Sequence, residues 1–291
     1  MEQNLLPYLI ELIRLTSVDL PLDVERSLIE VLRSEEIGSA AHRAMETIIK
    51  NIRLAREYSL PICQDTGTLL YYVNYPYGWS QNEIRQQIQE SVVQATELNY
   101  LRPNVIDSIT EKNTGNNLGD EFHPTIHFKE VNSSRMTINL ILKGGGCENV
   151  GCQYRLPEQR IKAGRDLEGV RKAVLDTVFQ AQGKGCSPGF LGVAIGGDRS
   201  SSYLASKEVF LRRVDEENPD PILAELEERI TSEANELGIG AMGFGGNTTI
   251  VSTFIRALHR IPASYFVSVS YMCWAYRRRR MILEGCSVSY E

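Results

Sequence analysis

The sequence has no apolar run approaching the ~18 residues a membrane-spanning helix needs. It also has no Cys-x-x-Cys pair, no internal repeat, no low-complexity stretch and no linker that would divide it cleanly. Each absence removes a class of protein. No membrane partner is expected, and a start without a basic segment or a small-residue cleavage site, MEQNLLPYLIELIRLT, does not read as a secretion signal. A cytoplasmic setting is the expectation, where the six cysteines (Cys63, Cys147, Cys152, Cys186, Cys273 and Cys286) stay reduced. They are scattered rather than clustered, which disfavours a zinc ribbon. Basic residues are also short, 31 Lys and Arg against 37 Asp and Glu for a formal charge of −6. Nucleic acid calls for a basic surface that releases counterions, so it is not expected as a partner. The exception is the run Arg277 to Arg280, for which anchoring carboxylates or ion-pairing with a partner subunit is at least as good a reading as a solvated face.

What is present points to one mixed α/β unit of 291 residues, with a helical N-terminal part (about 1–118) packed on a sheet-bearing remainder (about 119–291). Apolar residues at three- and four-residue spacing predict helices over Leu22–Leu32 and Ile37–Arg56, the second stopped by Pro61. Leu69–Val73 predicts a short strand, and Ser80 or Asn82 caps a helix through Leu98. PTIHFKEV and RMTINLILKGGG predict two strands joined as a hairpin through Val131-Asn132-Ser133-Ser134. Helices follow at Gly169–Gln182, Ser201–Arg213 and Pro221–Leu237, a buried strand at FLGVAIGG, and a last strand at YFVSVSYMCW. Glycine-rich loops fall at strand ends, where sites tend to be built.

Three groups of residues carry chemistry. LPICQDTGT places a thiol (Cys63), an amide (Gln64) and a titratable carboxylate (Asp65) side by side at a helix-to-strand turn, a poor core triplet but good active-site material. KGGGCENVG and GIGAMGFGGNTT are glycine loops. The second matches G-x-G-x-x-G letter for letter, yet a helix precedes it where a dinucleotide fingerprint needs a strand. Its backbone either makes turns that demand positive φ or directs N–H groups at a cofactor or small anion. Cys63, Cys186 and Cys273 each sit at an element end near Pro, Gly or Arg, and three thiolates converging there could hold a metal or an iron–sulfur cluster with one position open. His123 and His127, four apart in HPTIH, would share one face of a strand, a pair more often structural than metal-binding.

LPICQDTGT, KGGGCENVG, GCSPGFLGVAIGGD, LGIGAMGFGGNTT and CWAYRR together resemble the α subunit of the iron–sulfur class I fumarate hydratase and L(+)-tartrate dehydratase family, equivalent to the N-terminal domain of single-chain class I fumarases. The resemblance runs from about residue 20 to 280 in the family's order. It implies a [4Fe-4S] cluster on Cys63, Cys186 and Cys273 whose fourth iron has no protein ligand. It implies that Gln64, Arg102 and the Gly146 N–H bind a small dicarboxylate and that Asp65 transfers a proton. It further implies a hydro-lyase acting on fumarate/L-malate, with L(+)-tartrate as the alternative, and a β subunit completing the site in a hetero-oligomer or a dimer of αβ pairs. The chain departs from the family at Ile261, where a histidine commonly precedes the proline; the nearest histidine is His259. A non-catalytic binding or scaffold subunit that has lost the cluster is the reading of another class.

Overall fold

The computed structural model describes residues 4–291. In chain order the elements are α1 (Leu6–Val18), α2 (Leu22–Ser34), α3 (Ala40–Tyr58), β1 (Thr68–Pro76), α4 (Gln81–Glu97), β2 (Thr125–Val131), β3 (Arg135–Lys143), the short α5 (Gly145–Asn149), β4 (Cys152–Arg155), α6 (Leu167–Ala181), β5 (Gly189–Ile195), α7 (Arg199–Glu208), α8 (Pro221–Glu236), β6 (Ile250–Ala257), β7 (Phe266–Met272), β8 (Arg277–Glu284) and β9 (Ser287–Tyr290). The architecture is mixed α/β, and the chain forms two compact units. One comprises the residues up to Pro21, Lys50–Gly145 and Ala275–Glu291; the other comprises Leu22–Ile49 and Gly146–Trp274. Helix starts follow local chemistry: Ser80 Oγ accepts the Glu83 N–H at 3.3 Å to cap α4, and Asp166 Oδ1 accepts the Gly169 N–H at 2.7 Å to cap α6.

The first unit is built on a five-stranded sheet in the order β2-β1-β3-β8-β9, with β1 parallel to β2 and antiparallel to β3. Strand alternation sends Leu69, Tyr71, Val73 and Tyr75 of β1 into a core with Leu9, Leu12 and Ile13 of α1 and Ile84, Ile88 and Val92 of α4. Each such side chain, fully withdrawn from water, stabilises by about 1.5–3 kcal/mol relative to exposure. The expected hairpin of β2 with β3 is not formed, because β1 lies between them. The turn and the antiparallel sense were legible, but the spacing was not: the three residues 132–134 reach across the ~10 Å between next-nearest strands as easily as the ~5 Å between neighbours. Apolar β1, whose Leu70 pairs with Thr125 55 residues further along the chain, takes the place between them.

The second unit carries a four-stranded sheet in the order β4-β7-β5-β6, with β5 parallel to β6 and antiparallel to β7. Val170, Val174 and Val178 of α6 and Ile230 and Ala234 of α8 cover Leu191 and Val193 of β5 and Val267, Val269 and Tyr271 of β7. Helix α7 meets the strands through paired hydroxyls, Ser206 with Ser270 at 2.9 Å and Ser268 with Ser202 at 2.8 Å. YFVSVSYMCW is β7, but it is not the last strand: β8 and β9 follow and belong to the other sheet. The run Arg277–Arg280 is the start of β8, and its pairing along β3 leaves Arg277 and Arg278 buried, so it is no solvated face.

Candidate active site

In the first unit the turn after α3 is anchored at both ends. The Ile62 N–H donates to the Ser17 carbonyl at 3.0 Å, and Asn51 Nδ2 donates to the Ile62 carbonyl at 2.9 Å. Beyond the turn, Gly67 has φ +74°, and a Cβ there would stand 2.2 Å from the Lys143 carbonyl oxygen, so only glycine lets the turn close on the end of β3. Between these anchors Asp65 is gripped. Its Oδ2 accepts the Gly145 N–H at 2.6 Å, its Oδ1 accepts Asn104 Nδ2 at 3.1 Å, and its main-chain carbonyl accepts Arg277 Nη2 at 2.9 Å.

The same turn fixes the loop carrying Arg102. The Thr66 hydroxyl, buried, donates to the Arg102 carbonyl at 3.0 Å and accepts the Arg102 N–H at 2.8 Å. Fully buried Asn117 completes the brace, donating to the Arg102 carbonyl at 3.0 Å and accepting the Asn104 N–H at 2.9 Å. With the backbone held, the Gln64 and Arg102 side chains are exposed and Cys63 is half-buried. A carboxylate fixed at both oxygens beside an exposed amide, with an exposed guanidinium on the braced loop, can accept a proton and bind an anion.

The second unit holds the other two cysteines singled out in the sequence. Cys186 takes a left-handed conformation, φ +55°, after a 3₁₀ turn at Gln182–Gly185, and its N–H donates to the Gly183 carbonyl at 3.1 Å. Its own carbonyl accepts the Trp274 N–H at 3.3 Å, which ties the Cys186 loop to the residue after Cys273. Buried Cys273 donates its N–H to Cys147 Sγ at 3.2 Å. Burial pushes the Tyr271 phenol far up, and the charge of Cys147, Cys273 and Cys186 adds to that push. Gly146, which opens the second segment of this unit, is exposed.

The glycine loop Gly238–Thr249 buttresses this region rather than cradling a nucleotide. Gly240 has φ +67°, and a Cβ would stand 1.7 Å from the Gly245 carbonyl oxygen. Ser187 Oγ donates to the Gly240 carbonyl at 2.6 Å, and the Met242 N–H returns to the Ser187 carbonyl at 2.8 Å. The loop does direct N–H groups at an anion, and the anion belongs to the protein: buried Glu35 accepts the Asn247 and Thr248 N–H groups, each at 3.0 Å.

The histidine pair is separated by the structure. His123 precedes β2 and lies 3.3 Å from Asp120, while His127 stacks on Tyr72 with ring centroids 5.0 Å apart, so the two do not share a strand face. His259 and Ile261 are both exposed. Among the described residues no group of three or more His, Cys, Asp or Glu is gathered to hold a metal. The donor chemistry still suits an iron–sulfur group: none of the six cysteines is in a disulfide, and Cys186 and Cys273 lie on loops bonded to one another. Sequence reading missed Asn104, Asn117, Glu35 and Tyr271, and it marked the loop of Gly145 without its contact to Asp65. Each acts through a partner distant in the chain.

Known proteins give this geometry its setting. The chain is 49% identical over 271 residues to a Geobacillus stearothermophilus protein named "Putative fumarate hydratase class I", covering 92% of this chain and 52% of that one. It is 34% identical over 273 residues to a Methanocaldococcus jannaschii protein named "Putative L(+)-tartrate dehydratase subunit alpha", covering 92% and 94%. It is 29% identical over 276 residues to the L(+)-tartrate dehydratase subunit alpha of Escherichia coli K12, covering 92% and 87%. The chain thus spans about half the length of the Geobacillus relative and nearly all of the archaeal one. A family model described as fumarate hydratase (Fumerase) matches residues 8–282, and the chain belongs to that family.

Proposed function

We propose that this chain is the α component of a hydro-lyase that adds water to fumarate and removes it from L-malate. The observation that carries the reading is Asp65: a carboxylate held at both oxygens by Gly145 and Asn104, one residue from an exposed amide and two from a half-buried thiol. Removing water from a 2-hydroxy dicarboxylate requires a base for the weakly acidic C3 proton and stabilisation of the charge that builds on the adjacent carboxylate. Asp65 is the base. Arg102 and Gln64, exposed on neighbouring braced segments, bind the carboxylates, and Gly146 contributes a main-chain N–H.

Cys63, Cys186 and Cys273 would hold a [4Fe-4S] cluster that leaves one iron without a protein ligand. Such an iron supplies Lewis acidity to an oxygen that would otherwise depart as hydroxide. The rest of the site comes from a β subunit, in keeping with the subunit names of the relatives that this chain matches along most of their length. Fumarate/L-malate is favoured because the fumarate hydratase relative is 49% identical and the tartrate dehydratase relatives 34% and 29%. L(+)-tartrate is the alternative those same names supply.

The test is anaerobic reconstitution of the chain with its β partner, iron and sulfide, followed through the ultraviolet absorbance of the fumarate double bond. Turnover is expected, lost in Cys186→Ala together with the cluster, and lowered ~10³-fold in Asp65→Asn with the cluster retained. A fully formed cluster with no turnover of fumarate, L-malate or L(+)-tartrate would overturn the reading and leave a non-catalytic subunit.

A further inference from the structure

Three arginines of the Arg277–Arg280 run have an evident partner. Arg278 lies over the Tyr276 ring at 4.9 Å, Arg279 reaches Asp19 at 3.4 Å, and Arg280 donates to Asn139 at 2.8 Å. Arg277 differs. Among the described residues it is the largest fully buried side chain, 1% exposed, and forms no ion pair; its Nε, like that of Arg279, is buried without a hydrogen-bond partner. Burying a guanidinium without a carboxylate is costly, so something must compensate. Its side-chain hydrogen bond goes from Nη2 to the main-chain carbonyl of Asp65 at 2.9 Å, across 212 residues of sequence.

Around that bond the geometry is tight. Arg277 opens β8 in register with Leu142, so its backbone is set by the β3 ladder next to Lys143 and the glycines that follow. A Cβ on Gly144 would stand 3.0 Å from Asp65 Oδ2 and 3.9 Å from Arg277 Nη2, so the arginine, the glycine loop and the carboxylate are packed at one point of the first unit. The other two holds on Asp65, Asn104 and Gly145, act on the side chain; Arg277 holds the main-chain carbonyl of the residue from which that side chain projects.

We infer that Arg277 is a positioning residue for Asp65: its buried guanidinium locks the Asp65 carbonyl so that the carboxylate stays between Gly145 and Asn104. The catalytic consequence rests on the proposed hydro-lyase reading; the positioning itself does not. A rigid fork matters more here than charge, because a lysine offers a single flexible point of contact. A small displacement of a base costs turnover far more than substrate binding.

Amide hydrogen exchange on the full chain tests the positioning without any turnover. The Gly145 N–H, protected by Asp65 Oδ2, is expected to exchange at least ~10-fold faster in Arg277→Lys and in Arg277→Met, while the amides of β3 and β8 keep their wild-type protection. Unchanged protection at Gly145, or loss that spreads along β3 and β8, would overturn the inference and leave Arg277 a structural residue. In the reconstituted enzyme Arg277→Lys is expected to lower kcat ~10-fold with KM moved less than ~3-fold, and to cost nothing further in an Asp65→Asn background. Additive losses in that cycle would also refute it. Full turnover by Asp65→Asn alone would sink the hydro-lyase assignment of Asp65 and leave the Gly145 exchange to decide the inference.

Discussion

Replacing Gly67 with alanine adds one methyl group at a point where the backbone has no room for it. The residue has φ +74°, and the new Cβ would lie 2.2 Å from the Lys143 carbonyl oxygen, 2.4 Å from its carbon and 2.7 Å from the Gly144 nitrogen. All three are main-chain atoms of the segment that pairs with β1, so no side-chain rotation relieves the overlap. The left-handed conformation alone costs an alanine about 1–2 kcal/mol, and forcing the two segments apart adds about 1–3 kcal/mol. The sum is about 2–5 kcal/mol, a large part of the ~5–15 kcal/mol by which a domain is stable.

Gly78 supplies the control, since its φ is +86° but nothing lies within 4 Å of its Cβ position. Gly78→Ala should therefore cost only the conformational ~1–2 kcal/mol. Both glycines belong to the first unit, which contains Trp79, whereas Trp274 belongs to the second. Urea unfolding followed by Trp79 fluorescence in a Trp274→Phe background reports the right unit. With a urea slope of ~1–3 kcal/mol/M, the Gly67→Ala midpoint should fall on the order of 1 M or more, and further than that of Gly78→Ala. Equal midpoints for the two variants would show that conformation alone, not the approach of Lys143, makes glycine necessary at position 67.

Two further outcomes follow from single contacts. Glu35→Ala removes the buried acceptor of the Asn247 and Thr248 N–H groups and should cost about 1.5–3 kcal/mol in urea unfolding followed through Trp274, with Glu35→Gln recovering about half; an alanine variant as stable as the wild type would refute the role of the glycine loop as a nest for this carboxylate. Burial would raise the Asp176 carboxyl, but hydrogen bonds from Arg160, Tyr154 and Gln180 outweigh it and hold the carboxyl below the ordinary 3.8. A depressed folded value means stability that is present above the unfolded pKa and is lost as pH falls through the folded one. Asp176→Asn should accordingly flatten the dependence of Tm on pH below about pH 3.8 and leave its slope at neutral pH unaltered; an unchanged acid limb would refute the assignment.

The helices were legible because their information is local. Ser80 caps α4 and the apolar spacing of Ile84, Ile88 and Val92 marks its buried side, all within a few turns of chain. Strand identity was legible for β1, β5 and β7 for the same reason. Strand order was not: nothing in β2 or β3 announces that β1 will come between them, since a three-residue connection serves either arrangement. β4 and β6 escaped notice because both are edge strands, at the two ends of the second sheet, and polar residues such as Gln153, Ser252 and Arg256 break their apolar pattern. The turn Cys63-Gln64-Asp65 stood out as chemistry-bearing from its residue types alone.

By itself, then, the sequence marked most of the helices, the glycine positions that permit tight turns, and Cys63, Gln64, Asp65, Cys186 and Cys273 as candidates for chemistry, with Arg102 added by the family resemblance. Only the tertiary structure decided what each of these groups touches. The Gly145 N–H reaches Asp65 across 80 residues, Arg277 reaches it across 212, and the Asn247 N–H meets Glu35 across 212. Such contacts depend on the register and order of strands, which sum many weak side-chain preferences over a whole sheet, so no short stretch of residues contains them.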